Sequence, residues 1–226
     1  MKKIGMVGGI SWVSTLDYYR LINEGVNTKL GGLNAAECMV YSLNFGDIQA
    51  QSWVNSFDLL LNACEHLKNT GADGIVLCAN TAHLFADELQ DTIQLPIIHI
   101  GTETAKAIHK AGFKRVGLLG TKFTMEMDFY KNKLEEYGLE VMVPESRETR
   151  DYIQQTVKDE LGVGYINPET KTRYISIVKD LVSRGAECII LGCTEIPLLI
   201  GQDDFTIPVF DTTKIHCEAI VEYIVS

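Results

Sequence analysis

A thiol, a hydroxyl and a carboxylate stand side by side in Gly192-Cys193-Thr194-Glu195-Ile196-Pro197. A thiol carries protons and, as thiolate, attacks or abstracts; hydroxyls and backbone amides donate hydrogen bonds to an anion. Just upstream, Cys188-Ile189-Ile190-Leu191 is a short unbroken apolar run. Such a run reads as a strand buried on both faces. Cys193 then sits at the carboxyl end of a parallel strand, where α/β proteins hold their ligands. The amino terminus of a following helix adds backbone donors and a positive dipole. Together they predict a Cys193 pKa depressed from about 8.5. The competing reading is an inert buried cysteine.

A second stretch has the same build: Ile75-Val76-Leu77-Cys78-Ala79-Asn80-Thr81-Ala82-His83. Aligned without a gap, residues 75–81 match residues 189–195, and Ala79, not Cys78, pairs with Cys193. A shift of one residue along an ideal strand turns a side chain to the opposite face. Cys78 is therefore either a second proton carrier, reached by a bend at the strand end, or a packed strand cysteine. His83 and Glu195 lie one step beyond the reactive positions. Both can tune the thiols from behind, while a core imidazole and a helix cap are the structural alternatives.

The glycine turns repeat as well: Ile4-Gly5-Met6-Val7-Gly8-Gly9 matches Val116-Gly117-Leu118-Leu119-Gly120-Thr121. Two motifs recurring in one order mark an internal duplication. The expected fold is α/β, with two pseudo-symmetric lobes facing each other across a cleft lined by strand ends. Strands are expected at 3–7, 37–43, 74–77, 97–100, 115–119, 140–143, 188–191 and 207–210. Helices are expected at 14–28, 56–69, 81–91, 102–111, 124–137, 151–161, 168–184 and 212–224. Residues 1–98 with 208–226 would form one lobe and 99–207 the other. Alternating strands and helices imply parallel sheets.

Composition narrows the partners. The 226 residues are 46% apolar and 22% charged, with a net charge of −10. An acidic chain without a basic run argues against nucleic acid or an anionic membrane as partner. The amino terminus is cut by glycines and does not read as a signal peptide, and no stretch reads as a membrane span. Six cysteines without a C-x-x-C pair or zinc spacing read as reduced thiols of a cytoplasmic protein. No G-x-G-x-x-G, phosphate-loop lysine motif or metal-ligand cluster is present, so neither nucleotide nor metal cofactor is implied.

Four segments taken together, Gly8-Gly9-Ile10-Ser11-Trp12, Asn80-Thr81-Ala82-His83, Gly120-Thr121-Lys122-Phe123-Thr124-Met125-Glu126 and Gly192-Cys193-Thr194-Glu195-Ile196, resemble the cofactor-independent aspartate/glutamate racemase superfamily. The similarity is closest to its aspartate racemase and broad amino-acid racemase branch, and runs over essentially the whole chain. The resemblance implies two flavodoxin-like lobes, a site in the cleft between them, homodimers and no pyridoxal phosphate. It implies an amino-acid substrate whose α-proton is removed by one thiolate and returned by an opposed thiol. Cys193 and Cys78 are the candidates, although the family usually has Cys, and in some members Thr, where Ala79 stands. With one working thiol, a decarboxylase or isomerase of the same superfamily, or a weakly catalytic carboxylate-binding protein, is the alternative.

The substrate carboxylate needs hydrogen-bond donors as charge builds in the transition state. Asn80, Thr81, Thr121 and Thr194 are placed to supply them, with Gly9 and Ser11 from the first glycine turn. For the distal carboxylate, the end of the second strand offers no cation, only Gln49 and Gln51. Lys122 is the strongest remaining cation because it adjoins the second glycine turn, ahead of Lys171 and Arg173. Trp12, Tyr18 and Tyr19 read as core or dimer surface.

Overall fold

The run Ile4-Gly5-Met6-Val7 has no polar side chain to expose, and β1 (Ile4–Gly8) is buried along its whole length. In the computed structural model, which describes residues Met1–Ser226, the chain divides into two units. The first comprises Met1–Ile100 with His216–Ser226, the second Gly101–Ile215.

In the first unit, α1 (Trp12–Leu30) follows β1 and buries Tyr18, Ile22 and Val26 at four-residue spacing, one helical face toward the core. Next come β2 (Cys38–Ser42), α2 (Phe45–Ala50), α3 (Phe57–Asn69) and β3 (Gly74–Leu77). The sheet is parallel, in the order β2-β1-β3. Central β1 therefore needs apolar residues on both faces. A 3₁₀ turn (Thr81–Phe85) and α4 (Ala86–Ile93) replace the single helix expected over 81–91. Residues 97–100 do not form the expected strand. Ile97 makes one isolated parallel bridge to Ile75, and Pro96 before it lacks an N–H. By Ile100 the chain has already entered α5 (Ile100–Lys110).

The second unit holds β4 (Arg115–Gly120), α6 (Lys122–Glu126), α7 (Asp128–Glu135), β5 (Glu140–Met142), α8 (Arg147–Asp159) and α9 (Pro168–Ser183). They are followed by β6 (Cys188–Gly192) and β7 (Val209–Asp211). Its parallel sheet has the order β5-β4-β6-β7. The helix expected over 124–137 breaks in two where Met127 adopts an extended conformation, φ −90° and ψ 156°. α9 starts on Pro168 with Asn167 as its cap, the Asn167 side chain accepting from Glu169 N at 3.0 Å. Proline at the first helical position has no donor to waste there.

The expected return to the first lobe at 208 falls instead at 216. β7 pairs with β6 in register Ile189↔Val209, so residues 208–215 belong to the second unit. The last helix, α10 (Thr212–Val225), then delivers Cys217, Ile220, Val221 and Ile224 to the core built on Ile4, Met6, Tyr18 and Val76. Each such fully buried aliphatic side chain contributes about 1.5–3 kcal/mol.

Candidate active site

In the second unit, Cys193 leaves the end of β6 with 4% of its surface exposed. Its Sγ donates to Glu195 Oε2 at 2.9 Å, and Thr194 Oγ1 donates to the same oxygen at 2.7 Å. Glu195 is buried as well. The thiol pKa is raised, not depressed as expected. Burial is the main cause, followed by the Glu195 carboxylate. Backbone amides of Glu195 and Ile196 pull the other way, so the anticipated donors are present. Desolvation of a thiolate beside a carboxylate outweighs them. The resting state is a thiol hydrogen-bonded to a carboxylate, a proton donor in waiting.

Gly120 ends β4 beside this motif, in register with Gly192. Thr121 caps α6, its Oγ1 accepting from Thr124 N at 3.3 Å and meeting Thr124 Oγ1 at 3.1 Å. Lys122 is committed elsewhere: Nζ pairs with Asp151, and the backbone N–H donates to Gln154 Oε1 at 2.8 Å. Lys171 pairs with Asp204 at 2.9 Å. The Arg173 guanidinium lies 3.6 Å above the centre of the Tyr152 ring. Each expected cation thus already has a partner within the second unit.

In the first unit, Gly9 has φ +83°, and a Cβ there would lie 2.0 Å from the Leu43 carbonyl oxygen. Only glycine fits this turn. The Gly9 N–H donates to Thr15 Oγ1 at 2.9 Å. Ser11 is the cap of α1, and its carbonyl accepts from Ser14 Oγ at 3.1 Å and Thr15 Oγ1 at 3.0 Å. Asn80 and Thr81 are both buried at the carboxyl end of β3. Gln51, at the end of α2, is exposed, and its carbonyl accepts from Asn55 Nδ2 at 2.9 Å.

Cys78 is fully buried in the core cluster with Ile4, Met6, Tyr18, Val76 and Cys217, and burial drives its thiol pKa strongly upward.

His83 is also buried, with Nδ1 2.9 Å from the Ala79 carbonyl oxygen. Its ring lies edge to face against His99, centroids 4.9 Å apart, and against His216 at 5.4 Å. His216 in turn bridges Tyr18 Oη at 2.8 Å and the Ile98 carbonyl at 2.7 Å. Burial lowers the pKa of His83 to about 4 and of His216 to about 3, so both are neutral. Sequence reasoning missed His216 and Thr15, and offered Ser14 beside Ser11 as a helix cap, where the cap is Ser11. The one available signal was a histidine on the buried face of the last helix, four residues before Ile220. No group of three or more His, Cys, Asp or Glu side chains is disposed to hold a metal ion. No helix is long and apolar enough to cross a membrane.

Two parallel-stranded units, one ending a strand in a buried thiol–carboxylate pair, define a class that comparison with known proteins makes explicit. The chain belongs to the Asp/Glu/hydantoin racemase family, whose model matches residues 7–220. It is 30% identical over 167 residues to the broad specificity amino-acid racemase RacX of Bacillus subtilis strain 168, covering 72% of this chain and 69% of that one. A crystal structure of a candidate Asp/Glu racemase from Yersinia pestis superposes with a TM-score of 0.92 at 41% identity, each chain covered in full. An aspartate racemase homologue from Pyrococcus horikoshii OT3 does so at 0.85 and 38%, again over both whole chains.

Proposed function

We propose that the protein is an amino-acid racemase acting on aspartate, glutamate or both, by direct exchange of the α-proton at Cys193. The observation that carries this reading is the 2.9 Å bond from Cys193 Sγ to Glu195 Oε2 at the end of β6. Glu195 takes the Sγ proton, the thiolate removes the α-proton from one face of the substrate, and a second acid on the opposite face returns a proton to carbon with inversion. Asn80, Thr81, Thr121 and Thr194 donate hydrogen bonds to the α-carboxylate while charge builds on it. Gly9 and Ser11 shape the glycine turn that follows β1 in the first unit. Such exchange draws on the chain's own groups and calls for no pyridoxal phosphate.

Racemisation delivers protons to both faces of the α-carbon. We assign Cys78 to packing, because its side chain lies in the first unit's core. Ala79 at the position matching Cys193 favours a second reading, a one-thiol decarboxylase or isomerase on the same scaffold. Incubation of each enantiomer in deuterium oxide separates the two. Exchange with inversion from both enantiomers supports racemisation. Exchange without inversion supports a single working base, and no exchange from either enantiomer sinks the racemase reading. Cys193→Ser is expected to abolish exchange.

The same reading has the enzyme act in the cytoplasm as a homodimer. In support of the second point, Trp12, Leu16 and Tyr19 are 66%, 58% and 52% exposed. Their spacing puts them on one side of α1, an apolar stripe that a second copy can cover.

A further inference from the structure

Three successive carbonyls at the end of β3 each face a named donor. Ser14 Oγ, whose one proton is shared with the Ser11 carbonyl, lies 3.2 Å from the Cys78 carbonyl, His83 Nδ1 donates to that of Ala79 at 2.9 Å, and the His83 backbone N–H to that of Asn80 at 3.1 Å. The peptides concerned are trans, since the one cis bond is Ile10–Ser11. In a trans peptide the C=O of one residue and the N–H of the next point in opposite directions. Holding the Ala79 carbonyl therefore aims the Asn80 N–H the other way, and holding the Asn80 carbonyl aims that of Thr81. His83 makes both of these bonds.

A carbonyl oxygen only accepts, so the proton of neutral His83 is on Nδ1. The same argument puts the His216 proton on Nε2, facing the Ile98 carbonyl at 2.7 Å, and leaves His216 Nδ1 to accept from Tyr18. His216 is thereby locked at both nitrogens, and its ring stands edge to face on His83. α10 and α1 supply this brace from distant parts of the sequence.

We propose that His83 is a positioning residue that aims the Asn80 and Thr81 amides at the substrate carboxylate, with His216 and Tyr18 bracing its ring. The inference rests on the reading above that these two residues bind substrate. Its chemistry is ordinary hydrogen bonding, with no proton passed to or from the substrate by any imidazole.

The test compares His83→Leu, which keeps bulk but has no donor, with His83→Gln, whose amide can still donate to the Ala79 carbonyl. The expected result is a KM for aspartate or glutamate raised about tenfold in H83L, a smaller change in kcat, and recovery toward wild type in H83Q. An H83L variant with wild-type KM and an intact fold overturns the proposal. Nitrogen-15 NMR of the wild-type imidazoles supplies a readout that needs no variant to fold. His83 is expected as the Nδ1–H tautomer and His216 as Nε2–H, and an Nε2–H tautomer at His83 overturns the proposal. Should the wild type turn over neither amino acid, the functional reading fails by itself, and the tautomer still decides whether His83 holds the Ala79 carbonyl.

Discussion

Gly120 and Gly192 are register partners across β4 and β6, and a Cβ on Gly120 would lie 2.8 Å from the Gly192 carbonyl oxygen. A Cβ on Gly192 would meet Leu118 Cδ1 at 2.9 Å and the Leu119 carbonyl oxygen at 3.0 Å. Backbone cannot swing aside as a side chain can, so the strand end itself would shift and carry Cys193 with it. Gly192→Ala is expected to cost about 1–3 kcal/mol of stability. Exchange should fall much further, on the order of 100-fold, because reacting groups tolerate little displacement. Urea unfolding and α-deuterium exchange on one sample separate the two effects. A folded G192A with undiminished exchange would count against the tight strand end.

Glu195 and Cys193 give a prediction with a definite sign. The carboxylate beside the thiol raises its pKa. In Glu195→Gln that negative charge is gone while the shape remains. The pH profile of Cys193 alkylation is therefore expected to move to lower pH, giving more thiolate at neutrality. Activity should nonetheless fall about 100- to 10,000-fold, as for loss of a general base. A more reactive thiol in a less active enzyme is the combined signature; an unmoved alkylation profile removes the charge coupling.

Much of this was legible in the residues themselves. The gapless match of 75–81 to 189–195 located both strand ends and put Ala79, not Cys78, opposite Cys193 in the alignment. Strict alternation favours packing for Cys78, and its burial with Ile4, Met6 and Val76 supports that reading. What was not legible depended on distant partners. The rise in the Cys193 pKa comes from how deeply the motif is buried, which local sequence does not encode. The pairing of β7 with β6, which moves the lobe boundary from 208 to 216, is a choice between two sheets that a three-residue strand does not announce. The brace from His216 to His83 spans 133 positions (216 − 83) and has no local pattern at all.

Cys78 offers a direct check on its assignment to the core. Cys78→Ala should reduce stability by about 1 kcal/mol through lost packing, and leave exchange within about threefold of wild type, well short of a catalytic loss. Cys78→Ser should be worse folded, because a buried hydroxyl needs a partner among apolar neighbours. A C78A variant that is fully folded but inactive would return Cys78 to the chemistry.

The buried imidazoles set an acid limit. His83 titrates near 4 and His216 near 3 in the folded protein, against about 6.5 in the unfolded chain. As pH falls below about 6.5 the unfolded chain takes up protons that the native state refuses. Stability is therefore full above that pH and declines below it, by about 2 kcal/mol at pH 5 for one such group. Urea midpoints measured from pH 7.5 to 4.5 should show the decline, with a shallower acid limb in His83→Gln. A flat profile would mean that the imidazoles open to solvent.

The first unit is not contiguous: residues 216–226 return to it after all of 101–215. The Lys2 N–H donates to the Ile224 carbonyl at 2.9 Å, so the segment leading into β1 is stitched to α10. On the ribosome, the half that emerges first must wait for the other half to be made. The second unit can complete its sheet while the first still exposes the side of β1, α1 and β3 that α10 will cover. Newly made chains are thus expected to be vulnerable on one defined apolar face, for the time the ribosome needs to synthesise residues 101–215.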